Sequence, residues 1–246
     1  MRGAMILVPL LALAACGMSS GHEQGQENGG ASGQAGRRDF QVGAFDRVEL
    51  AGSQNVIVKV GGAPAAYAEG DTGLLERLDV RVENGVLRIG QKKGKWSLGW
   101  SKDHGSITVH VAAPSLKGAE VAGSGDMRID KVQAESFAGS IAGSGELDIG
   151  SLTARDTTFA IAGSGGLSAA GTAESANFSI AGSGDVRAGG LQVKRAKVSI
   201  AGSGNVEAKA METADVSIMG SGDAVITGTA KCNVNKMGSG DARCGG

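Results

Sequence analysis

The chain has 246 residues, a formal charge of −1, three histidines and only 3% aromatic residues. This excludes a global basic field for nucleic acid and leaves few parts for stacking platforms, metal sites or histidine-dependent catalysis. Glycine takes 43 positions, and Leu, Ile, Val and Phe together take 52, just above the range of disordered chains, so a periodic arrangement has to compensate for a lean core.

Arg2 precedes an apolar run from Ala4 to Leu13, broken by Pro9 and too short to cross a hydrocarbon layer of about 30 Å. Residues 1–15 read as a secretory signal. Its end, Leu13-Ala14-Ala15-Cys16, resembles the bacterial lipoprotein box. That resemblance implies that Cys16 becomes the lipidated N-terminus, carrying acyl chains such as palmitate that attach the chain to a membrane without spanning it. Gly17, where an aspartate would retain the protein at the inner membrane, implies sorting to the outer membrane, with either leaflet open. Residues 16–38 hold seven glycines after Cys16 and, Met18 apart, no large aliphatic side chain. They read as a flexible linker with a reach of about 26 Å, and His22 within it as a solvated side chain.

Residues 39–118 are expected to form an N-terminal β section. Val48 to Leu50 and Gln54 to Val60 read as strands, and Asn84-Gly85 between alternating Val80, Val82 and Leu87, Ile89 is a hairpin signal. This section is expected to cover the first coil of a repeat region that begins near residue 119, because an open solenoid end is a bare strand edge. Ala51-Gly52-Ser53 hints that the repeat already starts there. Lys92, Lys93, Lys95, Trp96, Trp100 and Lys102 gather four lysines and both tryptophans within eleven residues. A cationic aromatic loop of this kind can grip an anionic glycan or headgroup; the alternative is that the tryptophans close the solenoid end while the lysines stay in water.

Residues 119–246 carry the strongest signal. Gly-Ser-Gly begins at Gly123, Gly143, Gly163, Gly182, Gly202, Gly220 and Gly238, at spacings of 20, 20, 19, 20, 18 and 18 residues. Apolar residues alternate on both sides of each glycine corner, as in Phe178 and Ile180 before it and Val186 and Ala188 after it. Two short strands per unit with no helical period are what a parallel β-helix requires, each strand pairing with its counterpart one coil away. Stacking would bring the corner serines about 4.8 Å apart, able to pass hydrogen bonds along the corner. It would also set Arg128 beside Asp148 and Arg187 beside Glu207.

The recurrent Ile-Ala-Gly-Ser-Gly-Asp units, the Phe45-Asp46 strand, the Asn84-Gly85 hairpin and the lipoprotein signal together resemble the bacterial head GIN domain family, which carries the label auto-transporter adhesin. The resemblance covers roughly residues 40–246. It implies an all-β fold, a right-handed parallel β-helix (solenoid) of short 18–20-residue coils with an N-terminal β cap, and no catalytic residue to carry over. No transmembrane barrel segment is present in the chain, so attachment is expected through Cys16.

Asp126, Glu146, Asp185, Asp223 and Asp241 come directly after the corners, with Gly166 and Asn205 in the same column. Their oxygens resemble a calcium set, but nonapeptide calcium repeats place two glycine-aspartate turns in each coil. Turn capping is therefore the expectation, with no metal and no cofactor. Cys232 and Cys244, on inward parity in an exported chain, are expected to form a disulfide that clamps the last coil. His104 and His110 read as surface residues, and a repeated Gly-Ser-Gly is a corner and not a nucleophile elbow. The favoured function is a non-catalytic, lipid-anchored binding or adhesion module for a glycan or cell-surface protein. A polysaccharide-acting β-helix enzyme is the alternative, and a structural envelope protein stands third.

Overall fold

The computed structural model describes residues 33–92, 106–228 and 231–245. Cys16, His22 and the signal lie outside the described residues. The chain runs β1 (Ala35–Phe40), β2 (Arg47–Gly52), β3 (Asn55–Val60), β4 (Ala65–Asp71), α1 (Thr72–Arg77), β5 (Leu78–Glu83) and β6 (Val86–Gln91). It continues through β7 (Ile107–Ala113), β8 (Gly118–Gly123), β9 (Met127–Ile129), β10 (Val132–Gly143), β11 (Glu146–Gly163) and β12 (Gly166–Gly182). The last elements are β13 (Asp185–Gly202), β14 (Asn205–Gly220), β15 (Ala224–Thr227), β16 (Lys231–Gly238) and β17 (Ala242–Cys244).

These strands stack into a parallel β-solenoid. One wall runs β5, β6, β2, β8, then the C-terminal parts of β10 to β14, and β16. A second wall runs β1, β4, β7, β3, β9, the N-terminal parts of β11 to β14, then β15 and β17. A third, shorter wall begins with Val132 on Leu152 and continues through Gly171 and Leu191. The two strands per unit expected from the alternation are thus joined by a third. Register shifts after Ile149, Ser168, Ala188 and Val193 vary its length from coil to coil and blur its pattern.

The corner between the first two walls explains the glycines. The Gly123 carbonyl accepts the N–H of Ser144 at 2.9 Å and of Gly145 at 3.1 Å, and the same pattern recurs down the column. Gly182 has φ +132°, a conformation L side chains rarely adopt, and a Cβ built on it would collide with the Gly163 carbonyl oxygen. The serine hydroxyls face solvent; between Ser239 and Ser221 they meet at 3.0 Å, but backbone groups carry the ladder. Across the hairpin, Asn84 (φ 51°) and Gly85 (φ 76°) join β5 to β6 in the left-handed conformations of a two-residue turn.

Inside, residues of one kind pile on one another. Phe137, Phe159 and Phe178 stack with centroids 6.3 and 5.6 Å apart, while Ile141, Ile161, Ile180, Ile200 and Ile218 form a parallel column, all buried. Burying each such side chain contributes about 2 kcal/mol, shared only with the coils above and below.

The two ends are built differently. At the N-terminal end the coil of β2 and β3 lies beneath that of β6 and β7. Antiparallel strands then close it: β5 beside β6, β4 beside β7, and β1 beside β4. Strand β1 starts at Ala35, so residues 35–38, expected in the linker, belong to the cap. An edge strand of alternating polar residues carries no hydrophobic signal; Arg37 is held by Asp39 at 2.9 Å and Glu69 at 3.6 Å. Helix α1 was likewise unannounced except by Asp71, whose Oδ1 accepts the Leu74 N–H at 3.1 Å as an N-cap.

At the C-terminal end, Lys236 takes the inward position that isoleucine holds in the coils above. Its ammonium bends to the Gly240 carbonyl at 3.2 Å and Asp241 Oδ1 at 3.0 Å. A disulfide joins Cys232 to Cys244 across this last coil, with Cα atoms 6.3 Å apart. Both cysteines continue inward columns, but nothing stacks beyond them among the described residues, and Cys244 is exposed.

Replacing Gly182 by valine should cost about 3 kcal/mol or more, by strain and backbone collision. Valine at the exposed, neighbouring Ala181 should stay within about 0.5 kcal/mol. Urea melts of the two variants measure the difference. The Asp241 carboxyl is held below its ordinary value chiefly by its hydrogen bond from Lys236. A depressed carboxylate stabilises above the unfolded value and loses that contribution as pH falls through the folded one. Hydrogen exchange should therefore show β16 and β17 loosening below about pH 4 before β12 and β13 do, and Lys236→Ala should abolish that difference.

Candidate ligand-binding surface at the capped end

The expected binding segment starts at Lys92, the last residue of its stretch before residues 93–105; Lys93, Lys95, Trp96, Trp100, Lys102 and His104 lie outside the described residues. Leu50 pairs with Ile89 and Asn55 with Thr108, so the chain leaves the first wall at β6 and enters the second at β7, as it does at β2 and β3 one level below.

Between β2 and β3, Gln54 stands where the third residue of the motif is a buried glycine in the coils beneath, as at Gly125, and it is 5% exposed. Its Oε1 has no hydrogen-bond partner among the described residues. A cavity of about 250 Å³ opens beside it, lined by Ser53, Gln54, Leu74, Arg77, Gln91 and Ser106 among others.

A larger hollow of about 550 Å³ lies between β1 and α1, lined by Arg37, Arg38, Thr72, Leu75, Glu76 and Lys92. Three of its six lining residues are cations, each fixed by a backbone or ionic contact. Arg38 Nη1 donates to the Leu75 and Leu78 carbonyls at 2.8 and 3.2 Å, satisfying groups at the end of α1. Lys92 Nζ donates to the Glu76 carbonyl at 2.6 Å. The Asp39 carboxylate holds the Arg37 guanidinium above its ordinary value and is itself lowered by that hydrogen bond. A guanidinium has five N–H donors and an ammonium three, so Arg38 and Lys92 retain donors for the oxygens of an anionic or hydroxyl-bearing ligand.

Beside this hollow the Arg37 guanidinium lies 3.8 Å from the Tyr67 ring centroid. Tyr67 in turn stacks on His110, with centroids 4.6 Å apart and planes 11° apart. His110 is partly covered and stands 3.8 Å from Glu69. Tyr67 and His110 meet because they are register partners on adjacent antiparallel strands, a non-local pairing that sequence alone does not disclose.

The carboxylate column serves the stack. Asp126 Oδ1 accepts the Glu146 N–H at 3.1 Å, and Asp185 Oδ1 accepts that of Asn205 at 3.2 Å. Asn205 Oδ1 then accepts the Asp223 N–H at 3.2 Å, and Asp223 Oδ1 that of Asp241 at 2.8 Å. Each side chain caps the corner one coil away, and Asn205 is a link in this chain. Outside it, Arg128 bonds Asp148 at 3.1 Å, and Asp148 accepts from Ser168 Oγ at 2.6 Å. Arg187 is in register with Glu207 as expected, but its guanidinium stands 3.8 Å from Asp185. Among the described residues no group of three or more His, Cys, Asp or Glu is arranged to hold a metal, and no helix is long and apolar enough to cross a membrane.

Arg38→Ala should remove both carbonyl contacts at the end of α1 and destabilise the cap by about 1 to 2 kcal/mol. Faster amide exchange in α1 and β5, with β12 to β14 unchanged, is the expected readout.

The family model described as "Putative auto-transporter adhesin, head GIN domain" matches residues 44–230. No curated protein matches. Among solved structures, a "putative adhesin" from Bacteroides fragilis is 24% identical with a TM-score of 0.78, covering 87% of this chain and 98% of that one. A "putative lipid binding protein" from Parabacteroides distasonis is 23% identical with a TM-score of 0.66, covering 87% and 98%. A "putative adhesin" from Parabacteroides merdae is 18% identical with a TM-score of 0.68, covering 87% and 97%. At these identities the likeness speaks for the fold.

Proposed function

The chain belongs to the head GIN domain family, and on that premise we propose that it is a non-catalytic binding module of the bacterial cell envelope, anchored by lipid on Cys16 and gripping a glycan or cell-surface protein at its capped end. The observation that carries this reading is the cationic hollow at the capped end, where Arg37, Arg38 and Lys92 gather beside α1. Lys92 opens a stretch of sequence that continues through Lys93, Lys95, Trp96, Trp100 and Lys102. Together they supply charge for anionic groups, and the indole faces supply stacking for sugar rings. The carboxylates that a polysaccharide-cleaving enzyme would use are, along the corner column, engaged in capping the next coil.

Strand β1, the first described element, belongs to the cap, so a lipid on Cys16 would tether the chain by its binding end.

Joint replacement of Trp96 and Trp100 by alanine should weaken binding to an acidic-glycan array by at least about tenfold while the thermal melt stays within a few degrees of the parent. A collapse of the melt would assign the tryptophans to closing the solenoid instead. Protease shaving of intact cells, with and without Cys16→Ser, tests the anchor: the variant should be released into the soluble fraction.

A further inference from the structure

The first wall presents an outer face unlike the other two. On the third wall, long charged side chains such as Arg155, Glu174, Lys194 and Arg195 project. On the first, three outward columns run the length of the solenoid. The column next to the glycine corner is Ala51, Ala122, Ala142, Ala162, Ala181 and Ala201, one above another, and it ends in Met219 and Met237. These two methionines are 61% and 71% exposed, large apolar side chains stacked at one end of a flat face. The middle column carries Glu49 and Glu120 near the cap and is otherwise mostly serine. The outer column has Arg47 at the cap, then small residues, Gly118 and Ala138, and charged ones, Lys197 and Asp215, near the far end. Near the cap the face sinks into a hollow of about 370 Å³, lined by Arg47, Gly118, Glu120, Ala138 and Ser140 among others.

Along the corner column, and below Arg47 along the outer one, small residues therefore lie toward the cap and large ones toward the far end. We propose that this face joins two copies of the chain, antiparallel and face to face about a twofold axis midway between the levels of Ala162 and Ala181. Such an axis reverses the order of levels and keeps each column opposite itself. Met219 of one copy then lies over Ala122 of the other, and Met237 over Ala51. Lys197 lies over Ala138, diagonal to Glu120, and Asp215 over Gly118, between Arg47 one level away and Glu120 on the same strand. Each charged side chain enters the hollow of the opposing copy with a residue of opposite sign in reach. At the centre Ala162 meets Ala181 and Thr158 meets Asn177, so no like charges or bulky pairs coincide. A parallel pairing about an axis along the solenoid would set Met219 against Asp215 and Ala201 against Lys197, losing both matches.

The area is sufficient. Eight levels at about 4.8 Å give a length of roughly 34 Å. With a width of about 20 Å from the outer column to the corner serines, the pair covers roughly 1,400 Å² in total, within the range of stable specific interfaces. Both copies share one strand spacing, so side chains of one sheet settle between those of the other along the whole length, as in sheets packed through small residues.

Sedimentation velocity of the purified full chain from about 1 to about 100 µM should give the mass of two copies at the upper concentrations. Ala162→Arg combined with Ala181→Arg, both on exposed outward positions, should raise the dissociation constant at least about 100-fold with an unchanged circular dichroism spectrum. The orientation is read separately: Ala122→Cys with Met219→Cys, treated with a short bis-maleimide, should yield a 122–219 link between copies on peptide mapping. A monomer at every concentration, a dimer that survives the arginine pair, or a 219–219 link from Met219→Cys alone overturns the proposal.

Discussion

The whole molecule depends on one close approach. At each corner a glycine carbonyl accepts one or two N–H groups from the next coil, and the space between the coils is too small for a Cβ. That contact sets the rise of the stack to a single strand spacing and turns the chain sharply enough for two walls to share a core. Once it repeats, everything else falls into columns: phenylalanine on phenylalanine, isoleucine on isoleucine, and outside, carboxylate over amide. A core with so few large apolar residues is adequate because each is used twice, against the coil above and the coil below.

The repeat and the hairpin were legible because their causes are local. A tripeptide with a conformational requirement recurs at near-constant spacing, and alternation on either side names the inward residues; Phe178, Ile180, Val186 and Ala188 are all buried as that pattern demands. The third wall was hidden because its bulges change its length from one coil to the next. Strand β1 and helix α1 were hidden because neither owes its place to hydrophobic pattern: one is held by arginine contacts with other strands, the other by a single capping aspartate. Of the candidate site, composition pointed to the lysine and tryptophan segment. The hollow that Lys92 shares with Arg37 and Arg38 depends on the pairing of β1 with β4, a non-local fact. Lys236 had a visible sign, the loss of isoleucine from its column, which acquires meaning only when the column is known to end there.

The ends of a solenoid present unpaired backbone, and this chain treats them unequally. Antiparallel strands and a short helix cover one, at the cost of a substantial stretch of sequence. The other is finished by a charge turned inward to meet its own corner and by a covalent bond across the coil. The elaborate end is the one that carries the cationic hollow between β1 and α1, so the architecture that closes the stack also builds the proposed site.

Because Lys236 and the disulfide finish the stack without reference to how many coils precede them, the number of coils is not specified anywhere in the fold. Copying one unit, such as residues 183–202, would lengthen the arm by about one strand spacing and leave both extremities intact. Reach is then a quantity that gene duplication can adjust in small, equal steps, while the parts that recognise and terminate evolve on their own.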